Sequence, residues 1–341
     1  MNEQDYNAAL DAWEAMLAQA YLQQASELVG DISLAQITAM IAAGDDLALV
    51  QSLEKMADYT PTLEAMRSAY LAGAQDEIGT LSGAAVSRII QATGRRPIFD
   101  PRRQTAEAWM QAQAKDVITA LAQQQGDTIG LILAAGRDRG ATPRQIAEAI
   151  VGPMQSNGKR SGGVIGLAGN DTQAIINARA QLSSGDPAKM REYFDRIRRD
   201  RRFDKTIQKA IQAGVAPPQD VIDKAVARYS ERLLQTRAEA QASIEAMEVY
   251  NAGRQQFYKQ LIDDGIDATT ITKQWKTRGD EKVREAHRRM NGQTQYGDVP
   301  FNAPGGYKMN SPGDMSQGAP VSLVVRCRCR AVYRIDPKTS E

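Results

Sequence analysis

Residues 221–262 read VIDKAVARYSERLLQTRAEAQASIEAMEVYNAGRQQFYKQLI, and their apolar members decide the fold class. Val226, Tyr229, Leu233, Ile244, Met247 and Tyr250 recur at helical spacing and form one stripe. Pro217-Pro218-Gln219-Asp220 just before them is a helix start. An unbroken helix of ~40 residues spans ~60 Å at 1.5 Å per residue. Ala, Gln, Leu, Ile and Arg recur through all 341 residues and aromatics make up only 6%. That is the composition of helices packed through small and aliphatic side chains, and it argues against an all-β fold.

Upstream the pattern stays helical. Tyr6, Leu10, Trp13, Met16, Leu17 and Tyr21 lie three and four apart, and the stripe breaks at Gly30-Asp31. Ser33 caps a short helix through Ile41, Gly44-Asp45-Asp46 opens another, and Thr60-Pro61 starts a helix through Tyr70. Residues 94–103, GRRPIFDPRR, place two prolines, a glycine and four arginines in a connection, which sets a first boundary. A helix over 104–125, a short apolar helix over 129–135 and a helix capped by Thr142 with Pro143 in its first turn follow. Asn170-Asp171-Thr172 opens another through Leu182. The expected organisation is an acidic helical region (1–98), a central helical domain (99–265) and a small α+β module (266–341) ending in a β-strand.

The glycine-rich loop 152–169 invites a phosphate-binding interpretation through Gly152, Gly158, Lys159 and Ser161. The spacing defeats it: five residues separate the two glycines where the motif has four, and Arg160 stands where Ser or Thr would hold magnesium. Residues 191–205 alternate charge densely. They are either a solvated helix face laced with i,i+4 pairs or a basic edge for DNA or an acidic partner, and Arg198, Arg199, Arg201 and Arg202 are the candidates for the second role.

Net charge is +1, unevenly spread. Residues 1–90 hold 13 acids and three bases, whereas the rest holds 28 acids and 39 bases. Such asymmetry suggests that the two ends face different partners. No apolar run approaches the ~18 residues of a membrane span, and the first residues lack the features of a signal peptide, so a cytoplasmic origin is expected.

The last 67 residues gather the only histidine and both cysteines. A helix is expected over 280–290, ended by Asn291-Gly292, with loops and tight turns from Gly297 to Pro320. In a strand over 323–335, Leu323, Val325, Cys327, Cys329, Ala331, Tyr333 and Ile335 share one face. Arg326, Arg328, Arg330 and Arg334 share the other with Val324 and Val332. Both thiols then face an apolar layer, where cysteine behaves as a small hydrophobe. The alternative is a zinc site from His287, Cys327 and Cys329 with Asp298 or Asp314, which two thiols so close in sequence can form only from a turn or an irregular strand. A catalytic Cys/His pair is a further alternative, and the acidic pairs Asp263-Asp264 and Asp280-Glu281 look like ordinary surface acids.

In order, Trp275, Asp280-Glu281, Val283-Arg284, His287, Asn291-Gly292, Phe301, Pro312-Gly313-Asp314 and Cys327-Arg328-Cys329 resemble the C-terminal signature of the phage Mu F-like minor head proteins, also called phage head morphogenesis proteins. Upstream, Gly166-Leu167, Ala178-Arg179-Ala180 and the segment from Tyr229 through Arg237-Ala238-Glu239-Ala240 resemble the same family, so the likeness covers about 165–341. Arg326 replaces the family's Asn, and residues 241–245, QASIE, stand where the family has Ala-Arg-Thr-Glu. The resemblance implies a non-enzymatic virion component inside the head, made in host cytoplasm during assembly. It also implies association with the portal protein, with capsid or scaffolding proteins and with double-stranded DNA, and, in some members, ejection with the genome. In that picture the strand arginines Arg326, Arg328, Arg330 and Arg334 meet DNA or the portal. The alternative function is an effector or metal-binding enzyme carried in the virion, with its site in the terminal module.

Overall fold

The computed structural model describes residues 1–155 and 157–336. It is mainly helical with a small mixed module at the C-terminal end, as expected. The helices are α1 (Glu3–Asp31), α2 (Leu34–Ala43), α3 (Asp46–Met56), α4 (Thr60–Gly79), α5 (Gly83–Thr93), α6 (Gln104–Asp138), α7 (Pro143–Val151), α8 (Gly169–Ser183), α9 (Pro187–Glu192), α10 (Asp204–Ala213), α11 (Gln219–Asp263), α12 (Glu285–Met290) and α13 (Val321–Val324). The strands are β1 (Ile271–Lys276), β2 (Thr294–Tyr296), β3 (Phe301–Asn302), β4 (Lys308–Met309) and β5 (Arg330–Ile335). None of the described helices is long and apolar enough to cross a membrane.

Contacts divide the chain into two compact units that do not follow chain order. One contains Met1–Gln19, Thr62–Ala114 and the residues from Glu239 on; the other contains Ala20–Pro61 and Lys115–Ala238. Helices α1, α6 and α11 each contribute a segment to both.

In the second unit, Ile37 and Ile41 of α2, Leu49 and Leu53 of α3, Ile129 and Leu133 of α6, Ile146 and Ile150 of α7, Leu182 of α8 and Tyr229 and Leu233 of α11 form one core. Expected caps are in place: Ser33 caps α2, which ends on the left-handed Gly44, and Thr142 with Gln145 forms a capping box on α7. The expected break between 125 and 129 is absent, because α6 runs unbroken through Gly126, Gly130 and Gly136. A Cβ on Gly136 would lie 2.5 Å from Ile146, so this glycine lets α7 approach closely instead of ending the helix.

Residues 191–205 are likewise not one solvated helix. Short 3-10 turns over Tyr193–Asp195 and Arg201–Phe203 interrupt them. The second turn is capped by Asp200, only 2% exposed, which accepts hydrogen bonds from the backbone and side chain of Arg202 and lies within 4.0 Å of Arg228 and 3.6 Å of Arg232. Bonding from Arg202 outweighs the cost of burial and brings its carboxyl down to about 2.

In the first unit, α4 and α11 cross at reciprocal glycines. A Cβ on Gly73 would sit 2.0 Å from the Tyr250 carbonyl oxygen, and one on Gly253 would sit 1.9 Å from that of Tyr70. Tyr6, Leu10 and Leu17 of α1 are buried as their spacing implied, but Met16 is 49% exposed because it lies off the buried face. The sheet has the order β2-β1-β5, antiparallel throughout, with Trp275 opposite Ala331.

The glycine crossing yields a test. Gly253→Ala should destabilise by ~3 kcal/mol or more, since a methyl group directed at a backbone carbonyl cannot be relieved by a rotamer change. Gly30→Ala, in the last turn of α1 with nothing within 4 Å, should be neutral or stabilising by up to ~1 kcal/mol. Urea unfolding of both variants measures the contrast.

Candidate functional site

The sequence signature converges on one buried cluster in the first unit. Ile271, Lys273 and Trp275 alternate inward along β1, and Trp275 is fully buried. Its ring meets His287 edge-on at 5.8 Å and Phe301 at 5.3 Å. Helix α12 is shorter than the expected 280–290, starting at Glu285 after turns, and it buries His287 and Met290. The expected strand over 323–335 is also shorter. Val321–Val324 form a helical turn, Arg326 takes a left-handed φ of 51°, and regular pairing starts only at Arg330. The Arg326 turn breaks the alternation, so Val324, expected on the arginine face, is buried, while Cys327, Cys329 and Ala331 point inward as expected.

This irregular segment brings both thiols to one imidazole. His287 Nδ1 lies 3.4 Å from Cys327 Sγ and 3.3 Å from Cys329 Sγ, and the Cys329 amide donates to Cys327 Sγ at 3.3 Å. All three side chains are 2% exposed. Among the described residues, His287 Nε2 has no hydrogen-bond partner. Burial alone would raise the Cys327 thiol, but hydrogen bonds from Cys329 and His287 hold it well below the usual range. Cys329, bonded to Cys327 and buried, lies far above that range.

The other signature residues build the frame. Arg284 donates to the Val325 carbonyl and so holds the turn before Cys327. Gly292, at φ +85°, donates its amide to the Trp275 carbonyl at 2.8 Å, and Asn291 Oδ1 accepts from the Thr277 amide. Asp280 caps the Lys282 amide, and the Glu281 carbonyl accepts from Arg288. Asp314 accepts from the amides of Asn310 and Ser316 and is therefore engaged outside the His/Cys cluster; Asp298 is exposed and also stands apart from it.

Several of the eight candidate contact arginines are engaged within the fold. Arg328 pairs with Asp11 and Glu14 of α1, Arg330 donates to the Met1 carbonyl, Arg199 pairs with Asp204 and Arg202 with Asp200. Arg198 donates to Thr236 at 2.9 Å yet stays exposed, and Arg201, Arg326 and Arg334 are exposed.

The residues that hold this module carry no local motif in the sequence. Tyr6 O–H donates to the Cys329 carbonyl, and Asn251 Nδ2 donates to the Pro312 carbonyl at 3.0 Å. Arg254 binds Glu77 and the Ala331 carbonyl from the interior. The available signal is an arginine and an asparagine on the apolar side of the long helix read over 221–262.

Gly313 fits its turn against Met247 and Glu248 of α11, and beneath it lies a buried acidic pair. Glu245 and Glu248 both accept from Gln113. Burial, with the nearby charges of Glu245 and Asp314, raises the Glu248 carboxyl from 4.5 to about 8.

No family model, curated protein or solved structure matches the chain.

Glu248 should make stability pH-dependent. Below its ordinary value of 4.5 both states hold the proton. Between there and about 8 the unfolded chain releases it while the folded state retains it, so stability falls as pH rises through that window and levels off above it. Glu248→Gln should flatten this slope, matching the parent chain near pH 4.5 and exceeding its stability at pH 8, as read by denaturant midpoints across pH.

Proposed function

We propose that this protein is a non-enzymatic assembly component of a phage head, acting at the portal and contacting packaged double-stranded DNA. The observation that supports this most is that the signature residues Trp275, His287, Phe301, Cys327 and Cys329 lie buried side by side, with Asn291-Gly292 and Pro312-Gly313-Asp314 forming the turns around them. Such a signature specifies a folded docking module instead of presenting reactive groups to a substrate. The rival role, a carried effector with its site at His287, Cys327 and Cys329, requires access that side chains 2% exposed do not offer.

The excess of bases over acids after residue 90 supports an anionic partner. Of the strand arginines, Arg326 and Arg334 carry that role, because Arg328 and Arg330 are bound to α1 and to Met1.

Two measurements test this. Mass spectrometry of purified virions and procapsids from the producing phage should find the chain at low copy, and the full-length chain should co-purify with the portal protein. Absence from both kinds of particle sinks the proposal. The full chain should also be retained on double-stranded DNA at ~50 mM salt and released by ~200 mM, as expected when retention rests on phosphate contacts. Arg326→Glu with Arg334→Glu should weaken retention without unfolding the chain, whereas Arg328→Glu, which places a third acid beside Asp11 and Glu14, should lower the melting temperature.

A further inference from the structure

We propose that His287, Cys327 and Cys329 bind a thiophilic d10 cation, zinc, as a structural centre of the terminal module. The three donor atoms lie within 4.8 Å of one another and come from two elements far apart in sequence, helix α12 and the irregular segment 325–329. With zinc–sulfur bonds of ~2.3 Å and zinc–nitrogen bonds of ~2.0 Å, a tetrahedral angle places sulfur ~3.5 Å from nitrogen, and a trigonal angle places it ~3.7 Å away. The observed separations are 3.4 and 3.3 Å, nearer the tetrahedral edge.

The backbone around the donors fits the same assignment. A regular strand would hold the Cys327 and Cys329 side chains parallel on its inner face, but the left-handed Arg326 and the Cys329 amide bonded to Cys327 Sγ curl the segment so that both sulfurs face one nitrogen. An amide donating to a ligand sulfur orients it and offsets its charge. Two thiolates and a divalent cation sum to zero, which suits an interior where an unbalanced charge would be costly. Without a cation, the one proton Nδ1 can carry serves two sulfurs at nearly equal distance. Among the described residues Asp314 and Asp298 stand apart from the cluster and no other acid joins it, which leaves the fourth position to water.

This site does not depend on the phage-head proposal, and its test uses the purified full-length chain. Elemental analysis after purification without added metal should find about one zinc per chain. Cobalt titrated into chelator-treated protein should give thiolate-to-metal charge-transfer absorption with a tetrahedral d–d band. Cys327→Ser and His287→Ala should each lose the metal and the cobalt signal. His287→Cys, which restores a soft ligand at the same position, should regain both, separating loss of a ligand from loss of the fold. Copper(I) in place of zinc would reassign the ion and overturn the zinc assignment. A chain that folds to the same melting temperature in chelator, takes up no cobalt and titrates two free thiols would overturn the site altogether.

Discussion

The first unit depends on the ion pair between Arg254 of α11 and Glu77 of α4, both almost completely buried. Two charges removed from water are costly, and their mutual attraction offsets this only when the remaining hydrogen-bonding capacity is filled. Here it is filled. Arg254 donates to Glu77, to Asn251 and to the Ala331 carbonyl, and its guanidinium lies over the rings of Tyr6 and Tyr333. Tyr258 donates to the second oxygen of Glu77. Removing either partner would strand a charge, a loss of ~3–5 kcal/mol in comparable cases, so the pair ties α4, α11 and β5 into a single arrangement.

The candidate site takes its position from that network. Asn251, one turn before Arg254, holds the Pro312 turn, and Tyr6, bonded to Asn251, reaches the Cys329 carbonyl. The close crossing at Gly73 and Gly253 brings α4 near enough for Glu77 to meet Arg254. The His/Cys cluster is thus at the end of a chain of buried polar contacts that begins on the first and fourth helices.

Much of this was legible in the sequence, and the parts that were not share a cause. The long helix was expected over 221–262 and spans Gln219–Asp263, and the caps at Ser33 and Thr142 were readable because capping is local chemistry. Strand β1 was missed because Lys273 occupies an inward position of its alternation; it is fully buried, donating to the Asn310 carbonyl and lying over Phe301. The curl at 325–329 was missed because alternation of residue type continued through a turn that only Arg326 marks. Gly126 looked like a break in α6 because the sequence shows that a side chain is lacking, not that Val50 lies against that glycine. In each case a tertiary contact overrode a local pattern.

The charge split along the chain has a similar explanation. Acids in the first 90 residues and bases in the remainder suggested two ends facing two partners, yet within the first unit they meet each other. Asp11 and Glu14 hold Arg328, and Glu77 holds Arg254. In the second unit Asp46 holds Arg137 at 2.5 Å. Part of the asymmetry is therefore a folding code that draws distant segments together, and the capacity for an outside anion belongs to the arginines left exposed. Arg326 and Arg334 both lie on the solvent side of this segment, Arg326 at the left-handed turn before the cysteines and Arg334 on the outward face of β5.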